Sequence, residues 1–159
     1  MNLLDHLWGE LGLEYDWSVA VHPYGNVYDK FDNGEKITQE NRQFYRDHEQ
    51  LIEKFPNDEN VHSIYGNLLY TLRKYKGTIK HLKIALELNP KLSQPYNMLG
   101  YTYRRLADYD EAEKYFRQYI DLIQNDPNPY DSYAELLLKK GDFEESIEYY
   151  RKALEIQPK

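Results

Sequence analysis

Histidine is the side chain best suited to acid–base or metal chemistry near neutral pH, and this chain has five: His6, His22, His48, His62 and His81. Their separations match no metal-ligand pattern. His48-Glu49 lacks the second histidine, four residues after the first, that a zinc-protease helix needs. No serine sits in a nucleophile elbow, and no glycine-rich strand-to-helix turn is available to cradle a phosphate. The nearest approach to a cation loop is Asp29 to Glu40 (DKFDNGEKITQE), with Asp, Asn, Gly and Glu at the first, fifth, sixth and twelfth places of a calcium loop. Phe31 occupies the third place, where an oxygen ligand belongs, and Pro23 disfavours the entering helix, so turn chemistry accounts for the segment. With no cysteine, thiol nucleophiles, disulfides and zinc–thiolate sites are excluded. These residues predict a non-catalytic chain with no metal and no cofactor.

Function must then come from the elements that carry the side chains, and these repeat. A shift of 34 residues lays Gly66 on Gly100 and Ala134, and Tyr75 on Tyr109 and Phe143; two shifts lay Pro90 on Pro158. The period gives three copies, 59–92, 93–126 and 127–159. In each, a bulky residue at the seventh place (Tyr65, Leu99, Tyr133) precedes one with almost no side chain (Gly66, Gly100, Ala134), so two backbones approach closely there. After the aromatic at the start of the second segment come Thr78, Ala112 and Ser146, then Leu82, Phe116 and Tyr150, then Ala85, Tyr119 and Ala153. Offsets of three, four and seven put bulky side chains on one stripe of a helix and small ones where a neighbour crosses. Each copy therefore reads as two antiparallel helices joined by a short turn.

The pattern W-x2-L-G-x2-Y, then A-x3-F, then a closing Pro resembles the tetratricopeptide repeat. The second copy carries Tyr96, Leu99, Gly100, Tyr103, Ala112 and Phe116 at those places, with Gln124 in place of the closing Pro. The stretch from Ala112 to Pro158 and IKHLKIALELNP read like bacterial or archaeal members. The resemblance implies an all-α, right-handed superhelical solenoid of antiparallel helix pairs, whose first helices line a concave groove that binds a peptide or protein segment. Groove positions in this chain are Asn60, Ser63, Asn67 and Tyr70; Gln94, Asn97, Tyr101, Arg104 and Arg105; Asn128, Asp131 and Glu135. Asn67 and Asn97 can bond both N–H and C=O of an extended peptide, and Tyr70 and Tyr101 offer flat contact area. Arg104 and Arg105 are expected to receive acidic side chains, with Asp131 and Glu135 as a separate end for a basic one. In one branch of the family a clamp of two Lys, two Asn and an Arg grips a chaperone's C-terminal carboxylate. Only Asn67 matches it here; Ser63, Met98, Asn128 and Ser132 fill the other places.

Upstream of residue 59 the pattern frays. Thr38 to Phe55 reads as a helix with Thr38 as N-cap, one period before the second helix of the first copy. Trp8, Leu11, Gly12 and Tyr15 match W-x2-L-G-x2-Y letter for letter. Segment 1–58 therefore reads as an interrupted repeat: helix 2–15, a loop or hairpin over 17–37, and helix 38–55. A short helix ended by Gly12 and an unrelated hairpin is the alternative.

A net charge of −7 argues against a nucleic-acid surface. Segment 1–58 holds 12 acids and 5 bases, whereas the first copy holds 2 acids and 6 bases, five of them in the block Arg73, Lys74, Lys76, Lys80 and Lys83, read as a solvated outer face. No apolar stretch reaches membrane-spanning length, and Met1 to Val21 lacks a signal peptide's basic start and apolar run, so the cytoplasm is the expected compartment. No capping helix follows the third copy, so Ile147, Tyr150, Leu154 and Ile156 are expected to stand partly uncovered and to support self-association. The leading expectation is an interaction scaffold with a protein or peptide partner. The alternatives are a self-assembling structural protein, which oligomerises through its last helix or by exchange of its N-terminal segment, and an accessory domain of a larger enzyme.

Overall fold

The computed structural model describes residues 39–156, with side chains from Arg46 onward; the predicted helix 2–15 and the loop or hairpin 17–37 lie outside the described residues. Within them the chain forms seven helices and no strand. They are α1 (Gln39–Lys54), α2 (Glu59–Thr71), α3 (Tyr75–Leu88), α4 (Ser93–Arg105), α5 (Tyr109–Leu122), α6 (Pro127–Lys140) and α7 (Phe143–Ile156). None is long and apolar enough to cross a membrane.

Local chemistry sets the helix ends. Asp58 caps α2 by accepting from the N–H groups of Asn60 and Val61 at 2.9 and 3.0 Å, and Asp126 caps α6 by accepting from Asn128 at 2.8 Å, with Pro127 filling the first turn. The turn inside each helix pair is the same device three times. Lys74 N–H reaches Leu69 O, Asp108 N–H reaches Tyr103 O and Asp142 N–H reaches Leu137 O, at 2.8 to 3.0 Å, which closes the helix with a left-handed residue. That residue is Arg73 (φ 55°), Ala107 (φ 60°) and Gly141 (φ 93°), one period apart. Only the third copy uses glycine, the residue for which this conformation carries no steric cost.

Packing is strongest inside each pair (α2 with α3, α4 with α5, α6 with α7) and next between the second helix of a pair and the following first helix. The first helices α2, α4 and α6 also touch in a row. Apolar side chains accordingly gather as separate clusters at the junctions. Leu82, Met98, Leu99 and Tyr115 form one; Ala112, Phe116, Tyr133, Leu136 and Leu137 form the next; Tyr65, Leu68 and Leu69 pack against Ile52 of α1. The big-beside-tiny pattern has a direct cause: a Cβ on Gly100 would lie 2.6 to 2.7 Å from three ring atoms of Phe116, and one on Gly66 would lie 2.6 Å from Leu82 Cδ2. Each glycine lets the bulky residue of its partner helix lie against bare backbone.

One polar cluster locks α5 to α6. Glu113 accepts from Arg117 Nη2 at 2.9 Å, from Tyr133 Oη at 3.0 Å and from Lys140 Nζ at 2.7 Å. Burial pushes its carboxyl upward, but the hydrogen bonds from Lys140, Arg117 and Tyr133 outweigh it and hold the pKa down at about 2.

Candidate functional site

The row α2, α4, α6 presents the predicted groove residues, and hydrogen bonds run along it from one copy to the next. Ser63 Oγ donates to Gln94 Oε1 at 2.8 Å, the Tyr101 and Ser132 hydroxyls lie 3.0 Å apart, and Arg104 Nη1 donates to Glu135 Oε2 at 2.8 Å. All three pairs span 31 residues. That offset is the period less three, the step that carries a side chain one helical turn down the neighbouring first helix. A search for complementary polar residues at the period less three finds all three pairs; a search at the period alone finds none.

This pairing revises two expectations. Arg104 and Glu135 do not form separate basic and acidic ends for a ligand; they neutralise each other, and the Arg104 guanidinium also lies 4.8 Å from the Tyr101 ring centroid. Ser63 is buried, its hydroxyl committed to Gln94. Tyr70 and Tyr101 are partly core residues: Tyr70 packs against the Leu82 cluster, and Tyr101 meets Phe116 edge-on with centroids 5.2 Å apart. Arg105, Asn128 and Asp131 are exposed, and Asn60 is half-buried.

The asparagines differ from their neighbours. Asn67 Oδ1 and Asn97 Oδ1 are buried and lack a hydrogen-bond partner among the described residues. The offset of the ties sets Asn67 level with Met98, the residue after Asn97. A buried amide oxygen without a partner costs roughly 1–3 kcal/mol. The groove's third-copy end is acidic: burial, then the neighbouring Glu135, pushes the Asp131 carboxyl up. Burial also raises the Tyr101 hydroxyl pKa, its bond to Ser132 opposing the shift.

On the other side of the first copy the fold joins two histidines that linear spacing did not connect. His62 Nδ1 lies 3.0 Å from His81 Nδ1, and His62 Nε2 donates to Pro56 O at 2.9 Å, which leaves His62 Nδ1 as acceptor and His81 Nδ1–H as donor. Burial first, then the charges of His62 and Lys80, lowers the His81 pKa to about 4. Among the described residues no group of three or more His, Asp or Glu could hold a metal ion. The five basic residues from Arg73 to Lys83 are all exposed.

Helix pairs repeating every 34 residues, joined by the same left-handed turn and tied along their first helices, define an all-α solenoid repeat protein. The family profile of the tetratricopeptide repeat matches residues 93–126 and 128–159. Solved structures of the same architecture include a MamA protein (TM-score 0.67, 21% identity, covering 73% of this chain and 63% of that one). They also include TTC0263, a thermophilic TPR protein in Thermus thermophilus (0.66, 24%, 72% and 64%), and PilF of Pseudomonas aeruginosa (0.63, 22%, 72% and 52%). The chain spans less than two thirds of the length of these proteins. No curated protein matches. Residues 93–126 and 128–159 are thus tetratricopeptide repeats, and the described helices share the fold of that architecture.

Proposed function

We infer that the repeats of this chain serve as a protein–protein interaction scaffold. We propose that this chain is a non-catalytic one that seats an extended peptide or protein segment on the face lined by α2, α4 and α6. The observation that carries the reading is the pair of buried, unpartnered amide oxygens of Asn67 and Asn97. In the same row Ser63, Gln94, Tyr101, Ser132, Arg104 and Glu135 all have partners within the protein. Both asparagines are half-buried, and amides that lack donors inside the protein gain by turning outward to the N–H groups that an extended backbone presents, one every second residue on a given side.

Charge orients the segment. The first-copy end is amide-rich and neutral, whereas Asp131 stands exposed beside an Arg104–Glu135 pair that is already balanced. A basic side chain is therefore favoured at the α6 end and none is required at the α2 end.

The test is selection of a random peptide display library on the purified protein, followed by titration of the winning peptide against Asn67→Ala/Asn97→Ala and Asp131→Asn. The double variant should weaken the peptide at least tenfold, and Asp131→Asn should relax its preference for a basic residue. A winning peptide that binds the double variant unchanged removes the groove from the account.

A further inference from the structure

The faces of α3 and α5 that point along the array are each covered by the first helix of the next copy; the face of α7 is not, among the described residues. On α5, Phe116 and Ile120 pack into the cluster of Tyr133, Leu136 and Leu137 of α6, while Arg117 lies 5.0 Å from the Tyr133 ring centroid. One period later the same places on α7 are Tyr150, Leu154 and Arg151, and the place of Glu113 is taken by Ile147. Ile147 and Leu154 are 51% and 55% exposed, and Phe143, one turn before Ile147, is 61% exposed. Four apolar residues at spacings of four, three and four make a continuous stripe, the pattern of a helix that expects another helix. In α5 the charge of Glu113 is matched by Lys140 and Arg117; in α7 an apolar side chain replaces it, so what covers this face presents an apolar stripe of its own.

The charges beside the stripe choose the occupant. Glu144 and Arg151 lie seven residues apart, two helical turns, on the same flank of the stripe. When two identical helices pack antiparallel across a two-fold axis that passes midway between those positions, each Arg151 comes to lie beside the other helix's Glu144. The apolar stripes then interdigitate, with Leu154 toward the Phe143 end of the second helix. A parallel two-fold would instead set this flank against the opposite flank of the second helix, that of Ser146 and Ala153, and leave Glu144 and Arg151 without each other.

We propose that this face is a self-complementary docking surface: α7 pairs antiparallel with α7 of a second copy of the chain about a two-fold axis, its apolar stripe buried and its Glu144 and Arg151 exchanged between protomers. The arrangement is isologous, so it closes at two copies and leaves no open end. Its area is limited. At 14 residues the helix is about 21 Å long, and a stripe of that length falls well short of the ~800 Å² per partner of a standard interface, so the dimer is weak and depends on concentration. The proposal is independent of the groove, which lies on α2, α4 and α6.

Sedimentation velocity on the full chain from about 1 µM to about 1 mM, the range in which small interfaces dissociate, tests it. The expected result is a monomer–dimer equilibrium with nothing larger. Leu154→Glu and Arg151→Glu should each raise the dissociation constant about tenfold, since each change is felt at two symmetric places. The charge swap Glu144→Arg/Arg151→Glu should restore the dimer. Circular dichroism checks that each variant keeps its helix content, and Arg151→Glu alters only an exposed side chain, so it reports even where Leu154→Glu fails to fold. A monomer at every concentration overturns the proposal, as would growth into larger head-to-tail assemblies or a dimer that ignores the Arg151→Glu charge reversal.

Discussion

Replacing Gly100 with alanine sets two known quantities against each other. Alanine is the better helix former by up to about 1 kcal/mol, so on an open helix face the change would stabilise. At Gly100 the new methyl group would meet Phe116 Cε1, Cδ1 and Cζ at 2.6 to 2.7 Å. To reach an ordinary contact near 3.4 Å the ring must retreat by roughly 0.8 Å. It has nowhere to go: Phe116 is fully buried, pinned edge-on by Tyr101 and surrounded by Ala112, Tyr133, Leu136 and Leu137. Overpacking of this kind costs about 1–3 kcal/mol, so the net destabilisation should be about 1–2 kcal/mol. The third copy supplies the control. Ala134 already carries the methyl group, because the bulky residue at the facing place is Tyr150, half-buried on the open face of α7 and able to give way. Ala134→Gly should cost about 1–2 kcal/mol, helix propensity and the buried methyl group together, with no clash relieved. Urea unfolding followed by circular dichroism reads both variants through the midpoint at constant slope. A Gly100→Ala variant as stable as the parent, or more so, would refute the close-approach account of the repeat's small residues.

Three further outcomes follow from the same geometry. Ala107→Gly, at the left-handed turn after α4, should raise stability by about 0.5–1 kcal/mol in the same urea assay, because relief of the φ 60° backbone exceeds the added entropy of the unfolded chain. Glu113 has a folded pKa below its ordinary 4.5, so its contribution is complete above pH 4.5 and lost as pH falls toward about 2. The shift is worth about 3 kcal/mol at face value and about 1–2 after solvent screening of the half-exposed Arg117, so Glu113→Gln should lose that much at pH 7 and flatten the acid limb of the stability curve. His81 stays neutral in the fold while an unfolded histidine takes up a proton below pH 6.5, so stability should decline from pH 6.5 toward about 4, and His81→Gln should remove that slope from a pH series of unfolding midpoints.

The helix pairs and their register were legible because the period is a local fact repeated: Gly66, Gly100 and Ala134 recur in one phase, and each marks the same crossing. Arg73 and Ala107 were not legible as turn residues, since only Gly141 carries the residue type that announces a left-handed backbone. The row of first helices followed from the phase of the repeat, but the pairing of side chains along it did not. Arg104 and Glu135 looked like two free charges because the partner of a side chain lies one turn off the period, a displacement set by how the helices pack rather than by their letters. His62 and His81 illustrate the same limit: 19 residues apart, they meet only after α2 and α3 fold back on each other. Asn67 and Asn97 stood out in the sequence for their amides, and it took the tertiary structure to single out their oxygens among the polar groups of the row.

Three of the ties that run from copy to copy lie on the row of first helices. Along the second helices the polar ties are concentrated at one junction, where Glu113 of α5 holds Tyr133 and Lys140 of α6; α3 meets α4 through the Leu82 cluster. An array fastened this way resists bending along the row of its first helices. To open its curvature it must lengthen Ser63–Gln94, Tyr101–Ser132 and Arg104–Glu135 together. A ligand that takes Arg104 or Ser63 for itself would cut one of those fasteners while it binds. If the proposed segment competes for these side chains, occupancy of this face and the bend of the array become one mechanical variable, and the protein changes its pitch as it binds.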